Sequence, residues 1–305
     1  MDKVADMIRK FNFRIAHYLN VRTGKLLHAY GQKEQELKNK EWEKLFRDQS
    51  SFVYELDEKV KMKLQKNSVL DRWIYEDGFE KDETTFLKRV LKNGDIFIDA
   101  GSNVGYFSLQ ASSIVGKDGK IVCFEPSPVT YQRLMENIGV NGFKNIIAVN
   151  KGLSDKEGKL NLNISENGFD AWNTFAAVKD EKFQSFVAVE MSTLDKELED
   201  LDKNKISLIK IDVEGWEKFV LLGGKNLFRN YSPAIMIEFT EANTYAAGYF
   251  VQENYDILAD WGYQWFKFEN GELIAEERKL HYPYDNLIAT KDVAQLRARL
   301  LLPKQ

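Results

Sequence analysis

The stretch DIFIDAGSNVGYFSL, residues 95–109, constrains the fold more than any other part of the chain. Its apolar alternation predicts a strand that ends at Asp99, followed by a glycine loop and a helix. Strands and helices with short connections continue after it, a pattern typical of parallel strands covered by helices on both faces. The predicted strands are 95–99, 120–125, 145–149, 206–211, 234–239, 263–268 and 285–290, and the predicted helices are 68–76, 82–91, 103–115, 128–140, 215–222 and 251–261. The sequence therefore predicts an α/β fold with a doubly wound sheet.

The chain before this alternation is interpreted as a helical N-terminal extension, residues 1–66, preceding one α/β domain over residues 67–305. Apolar residues at helical spacing predict a basic amphipathic helix over 3–20. Two roles stay open for this helix: docking on its own domain or on a second copy by self-association, and peripheral contact with an anionic membrane surface. A polar helix over 32–48 and a hairpin over 52–65 complete the extension.

An inserted arm over residues 159–193 interrupts the alternation. Apolar residues at every second position predict one strand near each end of the arm. The segment 169–186 between them is rich in aromatic residues and has no clear period, and long irregular loops in compact domains are usually functional or disordered. Two interpretations remain: a lid that closes over an acceptor, with Trp172 and Asn173 in contact with it, or a clamp that only packs the arm down.

Composition excludes several classes of protein. Of the 305 residues, 44% are hydrophobic, which is enough for a large core. Cys123 is the only cysteine, so a disulfide within the chain and a cysteine-ligated zinc site are excluded. The formal net charge of −4 shows none of the positive excess of a dedicated nucleic-acid binder. No apolar run reaches the roughly 18 residues of a membrane span, and the expectation is a cytoplasmic protein.

The glycine loop is suited to a nucleoside without phosphate. Gly101 and Gly105 permit close backbone approach to a ligand, and Glu125 ends the next strand, where an acid accepts both hydroxyls of a ribose. The loop lacks the GxGxxG spacing of dinucleotide sites, and Asp99 would repel a pyrophosphate. These two features oppose a nicotinamide-dependent oxidoreductase. An acid at position 99 suits an ammonium group, and S-adenosylmethionine carries an ammonium, a ribose and no phosphate.

Four blocks in this order, DIFIDAGSNVGYFSL, IVCFEPSP with LMENI, GLSDKEG and LIKIDVEGWE, resemble the FkbM family of S-adenosylmethionine-dependent methyltransferases. The resemblance spans roughly residues 70 to 290. It implies a Rossmann-like, class I methyltransferase fold: a seven-stranded, mostly parallel sheet with an antiparallel last strand. It also implies methyl transfer to an oxygen of a sugar or a polyketide-like product. The cofactor-binding residues expected by this resemblance are Asp99, Gly101, Ser102, Asn103, Gly105, Glu125, Pro126, Leu153, Ser154, Asp155 and Asp212.

The block LIKIDVEGWE is the predicted acceptor side. Lys210, Asp212 and Glu214 are the candidate catalytic residues, because the fourth strand lies beside the first in this topology. Lys210 stands in an apolar strand and needs an acidic partner, for which Glu238 in the neighbouring strand is the first candidate. Three roles for Lys210 remain open: a structural ion pair, a base with a lowered pKa, or an ammonium that stabilises a developing alkoxide.

Three further acceptor-side expectations complete the prediction. Asp212, Glu214 and Glu238, with Glu241 or Asn243, offer the oxygen ligands of a Mg²⁺ site, but acids at strand ends are common without metal, so no metal is expected. His281 is either a base facing the acceptor or an ordinary loop histidine. Glu217 is interpreted as a solvated or capping charge.

The resulting functional prediction is an S-adenosylmethionine-dependent O-methyltransferase acting on a hydroxyl of a sugar or glycan. An O-methyltransferase of a lipid or secondary metabolite is one alternative. A non-catalytic cofactor-binding protein that docks through its N-terminal helix is another. DNA and RNA are disfavoured as acceptors, because Asp-Val-Glu-Gly stands where nucleobase amino-methyltransferases carry Asn/Asp-Pro-Pro-aromatic.

Overall fold

The computed structural model describes residues 32–33, 35–47, 49–165, 173–176 and 183–301. The predicted helix over 3–20 and Trp172 lie outside the described residues. The chain divides into two compact units, Met1–Phe52 and Val53–Gln305. In the smaller unit, residues 35–46 are helical, and the rings of Trp42 and Phe46 make an edge contact with centroids 4.8 Å apart.

The larger unit begins within a hairpin of strands β1 (Ser51–Asp57) and β2 (Val60–Gln65). The hairpin prediction over 52–65 is confirmed. Most of this hairpin belongs to the α/β unit, whereas the predicted boundary at 66/67 placed it in the N-terminal extension. The reason is packing: β2 contacts a helix of the α/β unit, and Lys63 N donates to Asn137 Oδ1 of that helix at 2.8 Å.

An eight-stranded sheet forms the centre of the larger unit, in the order β12-β11-β13-β10-β9-β3-β4-β5. The five strands β5, β4, β3, β9 and β10 are parallel to one another, and β13 is antiparallel to β10. The strands are β3 (Ile96–Ala100), β4 (Lys120–Phe124), β5 (Ile146–Val149), β9 (Ile206–Ile211), β10 (Ala234–Phe239), β11 (Gln264–Glu269), β12 (Glu272–Ala275) and β13 (Asp285–Thr290). The predicted mostly parallel doubly wound sheet with an antiparallel last strand is confirmed.

Strand β12 is an addition to the seven predicted strands. It pairs antiparallel with β11 across a turn at Asn270 and Gly271, whose φ angles are 52° and 86°. Two successive residues with positive φ form the tight hairpin turn that the right-handed twist of the strands favours. Sequence reasoning missed β12 because the strand has only four residues and lies at the edge of the sheet.

The helices follow familiar start and stop signals. Ser68 and Ser127 cap α1 and α4 by accepting hydrogen bonds from Asp71 N and Thr130 N. Gly142, with φ 66°, ends α4. The helices are α1 (Val69–Asp77), α2 (Lys81–Val90), α3 (Tyr106–Val115), α4 (Pro128–Asn141), α5 (Leu194–Glu197), α6 (Glu217–Gly223), α7 (Lys225–Asn230), α8 (Glu241–Ala246), α9 (Gln252–Asp260) and α10 (Val293–Leu301), with a 3₁₀ turn at Lys203–Lys205.

Alternation along the central strands divides the side chains between the two faces of the sheet. Ile98 and Ala100 of β3 belong to a buried cluster with residues of α6, α7 and α9. Phe97 and Asp99 must then point to the opposite face, because successive strand residues alternate. Lys210 is level with Asp99 on the adjacent strand β9, and its ammonium lies over the ring of Phe107 on α3. The polar residues of the site therefore stand on the α3 face.

The inserted arm is a three-stranded sheet in the order β6-β8-β7, with strands β6 (Gly152–Leu153), β7 (Gly158–Ser165) and β8 (Phe183–Ser192). Strands β7 and β8 are antiparallel, so the predicted two-stranded arm is confirmed. Leu162, Val189 and Met191 form its buried apolar face, against which Phe175 and Trp216 pack. This packing holds the arm beside the turn that follows β9. No helix among the described residues is long and apolar enough to cross a membrane.

Candidate functional site

A cavity of about 340 Å³ lies beyond the carboxyl ends of the parallel strands. This is where ligands bind in open α/β sheets. The glycine loop, the ends of β4 and β9, the N-terminus of α2 and the inserted arm all line the cavity. Of the predicted residues, those that line it are Gly101, Ser102, Asn103, Glu125, Pro126, Leu153, Asn173, Lys210, Asp212, Glu214 and Glu238. Sequence reasoning thus brought together residues up to 137 positions apart, from Gly101 to Glu238.

The glycines of the loop are required by contacts within the protein. A Cβ on Gly101, whose φ is 82°, would lie 1.8 Å from the carbonyl oxygen of Asp212. A Cβ on Gly105, whose φ is 94°, would lie 2.7 Å from Leu134 Cδ1. Gly105 does not line the cavity. Gly101, which lines the cavity, also admits the backbone of Asp212 just after β9, and Gly105 admits Leu134 of helix α4. The predicted role of both glycines in cofactor binding stays a prediction.

Glu125 is held in place by the backbone on both of its carboxylate oxygens. Asn103 N donates to Oε2 at 3.0 Å, and Ser127 N donates to Oε1 at 2.9 Å. The side chain is buried and borders the cavity. A carboxylate oxygen can accept more than one hydrogen bond, so this arrangement orients Glu125 and still permits a ligand hydroxyl to bind. The glycine loop and the end of β4 are thereby fixed to each other.

Asp99 lies beneath the cavity and does not line it. Its carboxyl is 1% exposed, and Ser108 Oγ donates to Oδ2 at 2.6 Å. Burial raises the pKa of Asp99, against the opposing influence of Lys210 and of the Ser108 hydrogen bond. The cation nearest in the register of the sheet is Lys210. Asp99 is thus influenced by the charge of the protein's own Lys210, and its role toward a ligand ammonium stays a prediction.

Ser154 and Asp155 follow β6 but do not line the cavity, whereas Leu153 does. Ser154 Oγ accepts a hydrogen bond from Trp216 Nε1 at 3.2 Å and lies 3.1 Å from Asp155 Oδ1. A Cβ on Gly223 would lie 2.0 Å from the Ser154 carbonyl oxygen, so this backbone is tightly packed. Ser154 connects the arm to the turn before α6.

Lys210 pairs with Asp212, not with the predicted partner Glu238. Lys210 Nζ lies 2.6 Å from Asp212 Oδ2. Residues 210 and 212 are two apart and lie on the same face, while the parallel register sets Lys210 level with Met236 of β10. Glu238 is therefore level with position 212, two residues beyond the position on β10 that lies opposite Lys210. Sequence alone does not give this register.

Lys210 is a cation and not a base. Burial by itself would lower its pKa, but the charges of Asp212, Glu80 and Asp99 outweigh that effect, and the pKa of Lys210 is raised above its ordinary value. The interpretation of Lys210 as a base with a lowered pKa is wrong for this reason. Its ammonium is available to hold Asp212 and to face negative charge in the cavity.

Three other acids on this side of the cavity have raised pKa values. We call Glu80, Asp212, Glu214 and Glu238 the acceptor-side acids. Burial raises the pKa of Glu80 to about 8, and the pKa values of Glu214 and Glu238 lie well above the ordinary value. The cause is burial first and then the charge of neighbouring carboxylates, Asp212 above all in Glu214 and Glu238. The positive charge near these acids is too small to keep all of them ionised at the same time.

Sequence reasoning missed Glu80 and Tyr284, both of which line the cavity. Glu80 precedes α2 with φ 45° and ψ 65°, the left-handed region that a residue with a Cβ rarely adopts, and its Oε2 is buried with no hydrogen-bond partner among the described residues. Burial raises the pKa of Tyr284. Neither residue belongs to a recognisable motif; the acid-rich run EDGFEKDE before α2 is the only signal, and it reads as a solvated helix start.

Leu162, Asn173 and Phe175 of the arm line the cavity. Asn173 Oδ1 accepts from Ser165 N at 2.9 Å. Thr174 Oγ1 donates to the carbonyl oxygen of Glu214 at 2.6 Å. Glu214 itself has φ 52°, and its Oε2 accepts from Asn243 Nδ2 at 2.8 Å. The arm is thus tied to the turn that carries Asp212 and Glu214.

A family model now identifies the chain. The model of the methyltransferase FkbM domain matches residues 99–265, which is more than half of the sequence. The chain belongs to the FkbM methyltransferase family. The predicted family is confirmed.

Curated relatives of this FkbM protein include a hexuronic acid methyltransferase, AglP, from Haloferax volcanii, 26% identical over 52% of this chain and 61% of the relative. The 2-O-methyltransferase NoeI from Sinorhizobium fredii is 27% identical over 44% of this chain and 59% of the relative. The chain thus matches about three-fifths of the length of these relatives. A crystal structure of an FkbM methyltransferase from Methylobacillus flagellatus superposes with a TM-score of 0.41 at 13% identity, covering 71% of this chain and 46% of that one.

The surroundings of two further predicted residues of the FkbM protein, Glu217 and His281, decide between the roles left open for them. Glu217 is 1% exposed and accepts hydrogen bonds from Val213 N, Gly215 N and Tyr249 Oη. The solvated reading is wrong; Glu217 holds the turn before α6, as a capping residue does. Burial raises its pKa to about 7.

His281 does not line the cavity. Its side chain is 78% exposed and lies 3.4 Å from Glu241, in a separate hollow of the surface beside α8. This is the ordinary loop histidine of the two alternatives, because its side chain does not face the cavity. Glu241 is turned to the same hollow, so it does not belong with Asp212, Glu214 and Glu238.

Proposed function

We propose that this FkbM protein transfers the methyl group of S-adenosylmethionine to a hydroxyl group of a sugar or glycan. The observation that carries the proposal is one cavity with two unlike sides. A backbone-held Glu125 stands beside the glycine loop on the donor side, and the Lys210–Asp212 pair stands on the other. Methyl transfer needs both reactants in one water-poor space, and a cavity of about 340 Å³ has the size of a small-molecule site.

Glu125 is the residue that we assign to the ribose of the donor. Its orientation is fixed by Asn103 N and Ser127 N, so its carboxylate does not have to be ordered when the nucleoside binds. Phe124, Pro126 and Leu153 line the cavity next to it and offer apolar surface for the adenine. We assign Ser102 and Asn103 to the methionine end, because these loop residues line the cavity between Glu125 and Asp212.

The chemical step is an in-line displacement at the methyl carbon. The acceptor oxygen forms the new C–O bond while the C–S bond breaks, and the electron pair of that bond stays on sulfur to give S-adenosylhomocysteine. The hydroxyl proton passes to the carboxylate of Glu80 or Glu214, whose raised pKa values suit proton transfer near neutral pH. The Lys210 ammonium stabilises the negative charge that develops on the oxygen.

The charges of the acceptor side favour an acceptor that is itself uncharged. The acceptor-side acids border the cavity, while the two lysines that line it among the described residues are already paired, Lys210 with Asp212 and Lys151 with Glu197. Within the described part of the chain, a carboxylate or phosphate on the acceptor would meet these acids without a spare cation. AglP is named for a hexuronic acid and NoeI for 2-O-methylation. Methyl transfer to a hydroxyl of a neutral sugar suits this cavity better than transfer to a sugar that carries an acid group.

The test is methyl transfer from labelled S-adenosylmethionine to a panel of acceptors. The panel pairs each neutral glycan with the matching uronic acid glycan, and adds a lipid alcohol and a phenol. We expect labelled product and S-adenosylhomocysteine with a neutral glycan and at least tenfold less with its uronic acid counterpart. Product with the lipid alcohol alone would favour the lipid alternative. Tight donor binding with no product from a cell extract would favour the non-catalytic alternative.

A further inference from the structure

Three carboxylates converge at the acceptor end of the cavity: those of Asp212, Glu214 and Glu238. One carboxylate oxygen of each lies within 4.8 Å of the others. Asp212 and Glu214 stand on the turn after β9, and Glu238 stands near the end of the adjacent strand β10. The parallel register of β9 and β10 places Glu238 level with Asp212 and not with Lys210. Three acids from two strands therefore point to one small volume.

Glu238 gives the observation that distinguishes this cluster from a chance grouping of acids. The residue is 8% exposed, and its Oε2 atom is buried with no hydrogen-bond partner among the described residues. Glu238 also lines the cavity, so the carboxyl is directed into the space that the cluster borders. A buried carboxyl oxygen without a partner costs free energy, whichever protonation state it adopts. Such an atom indicates a partner that the protein itself does not supply.

The other two acids, Asp212 and Glu214, each have one carboxylate oxygen engaged by a side chain of the protein. Lys210 Nζ donates a hydrogen bond to Oδ2 of Asp212, and Asn243 Nδ2 donates one to Oε2 of Glu214. Thr174 holds the Glu214 backbone through its carbonyl oxygen. One oxygen of each carboxylate is thereby engaged in orienting the side chain. Ion ligation by carboxylates whose second oxygen is hydrogen-bonded is the arrangement expected at a metal centre.

We propose that Asp212, Glu214 and Glu238 bind one divalent cation of the magnesium class. Hard oxygen donors are the ligands that Mg²⁺ and Mn²⁺ prefer. An octahedral ion with Mg–O distances of about 2.0–2.1 Å sets neighbouring ligand oxygens about 3 Å apart and opposite ones about 4 Å apart, so small side-chain rotations close the present spacing around the ion. The ion also supplies the positive charge that Lys210 alone does not give to four neighbouring carboxyl groups.

The site has a consequence for the acceptor, and this part rests on the proposed function. Three protein oxygens leave about three positions of an octahedral ion for water or substrate. Two neighbouring hydroxyls of a sugar ring fit such adjacent positions. Binding of a hydroxyl oxygen to the ion lowers the pKa of that hydroxyl and fixes its direction of attack. A vicinal diol is therefore the acceptor class that the metal site favours over an isolated alcohol.

The experiment measures metal binding without donor or acceptor. The full chain is titrated with Mn²⁺, free ion is followed by electron paramagnetic resonance, and Mg²⁺ is then added in competition. We expect one Mn²⁺ per chain, displaced by Mg²⁺. The Glu238→Gln variant is expected to lose at least tenfold in Mn²⁺ affinity, and Glu214→Gln gives an independent second variant should Glu238→Gln not fold.

The matched control is Glu125→Gln, which removes a charge from a buried acid of the same cavity whose oxygens are both held by the backbone. We expect it to keep Mn²⁺ binding and to weaken binding of S-adenosylhomocysteine. Absence of stoichiometric Mn²⁺ binding to the wild-type chain overturns the metal site, and so does equal loss in all three variants.

The two proposals fail in different ways. Mn²⁺ binding with no methyl transfer to any glycan contradicts the proposed acceptor and leaves the metal site standing. Glycan methylation that persists undiminished after removal of divalent ions by a chelator overturns the metal site and leaves the proposed function standing. A vicinal diol and its mono-deoxy analogue, compared at saturating Mg²⁺, then test the acceptor class: we expect at least tenfold preference for the diol.

Discussion

The two sides of the cavity hold their acids in opposite ways. On the donor side, both oxygens of Glu125 accept backbone N–H groups at 3.0 and 2.9 Å. On the acceptor side, Glu80 and Glu238 each have a buried oxygen without a hydrogen-bond partner among the described residues. The Glu125 carboxylate is held in place before any ligand arrives. The acceptor side has more carboxyl groups than the Lys210 ammonium can balance.

This difference teaches which part of the site is built for a fixed ligand. A preorganised carboxylate loses little on binding, which suits a cofactor common to every turnover. Buried acids with raised pKa values exchange protons or bind cations near neutral pH, which suits the part of the site where the chemistry occurs. Four variants test this division, beginning with the change that should have the largest effect.

Removal of the Lys210 ammonium should have the largest effect. Lys210→Met leaves Asp212 without its partner and Asp99 and Glu80 without a neighbouring cation. Loss of one partner of a buried ion pair typically costs about 3–5 kcal/mol, and because Asp212 is partly exposed we expect about 3 kcal/mol in the free energy of unfolding by urea. Turnover should be lost as well.

The double variant Lys210→Met with Asp212→Asn is the control for that experiment. Removing both charges leaves no unpaired ion, so it should recover part of the lost stability and none of the turnover. Additive losses in the double variant would show that the two side chains do not interact, and would contradict the pairing described here.

A change at Glu125 should have the next largest effect, and only on the donor. Glu125→Gln replaces charge-assisted hydrogen bonds, each worth about 1.5–3 kcal/mol. We expect the Kd of S-adenosylhomocysteine, measured by calorimetry, to rise about 10- to 100-fold. The KM for the acceptor should stay within a factor of three. A matching loss of acceptor affinity would mean that the two sides do not act separately.

Glu125 and the glycine-loop residues that line the cavity could be placed there from the sequence because they lie close to strand ends. Glu125 follows β4 directly, so a correct strand assignment places it at the cavity. The acceptor side depends on the register between strands and on segments distant in sequence. The partner of Lys210 was predicted wrongly for want of the register, and Glu80 was missed because nothing before α2 shows that helix reaching the cavity. The reason for Gly101 was also hidden, since Asp212 approaches it from 111 residues away.

Titration of Glu217 should give a moderate effect on stability. Burial raises its pKa from 4.5 to about 7. The folded protein therefore binds this proton more tightly than the unfolded chain does, and stability falls as the pH rises from about 4.5 to about 7 and is constant above that. Glu217→Gln should remove on the order of 2 kcal/mol of this fall, read from urea unfolding at pH 5 and pH 8.

Glu272→Gln, at an exposed position of β12, is the control and should keep the wild-type slope. The same slope in Glu217→Gln and in the wild-type protein would show that Glu217 is ionised throughout, and would contradict its raised pKa.

The smallest effect should come from the link between the arm and the acceptor side. Thr174→Val removes the hydrogen bond from Thr174 Oγ1 to the Glu214 carbonyl oxygen, whose loss costs about 0.5–1.5 kcal/mol. If the arm positions Glu214 for the acceptor, this should appear as a rise of several-fold in the acceptor KM with the donor Kd unchanged. Glu190→Gln, an exposed change on β8 of the same arm, should alter neither constant. An equal change in the donor Kd would mean that the arm supports the whole cavity, because Asn173 and Leu162 border it as well. The difference between the donor side and the acceptor side would then be confined to residues carried by the central sheet, and the arm would support both sides.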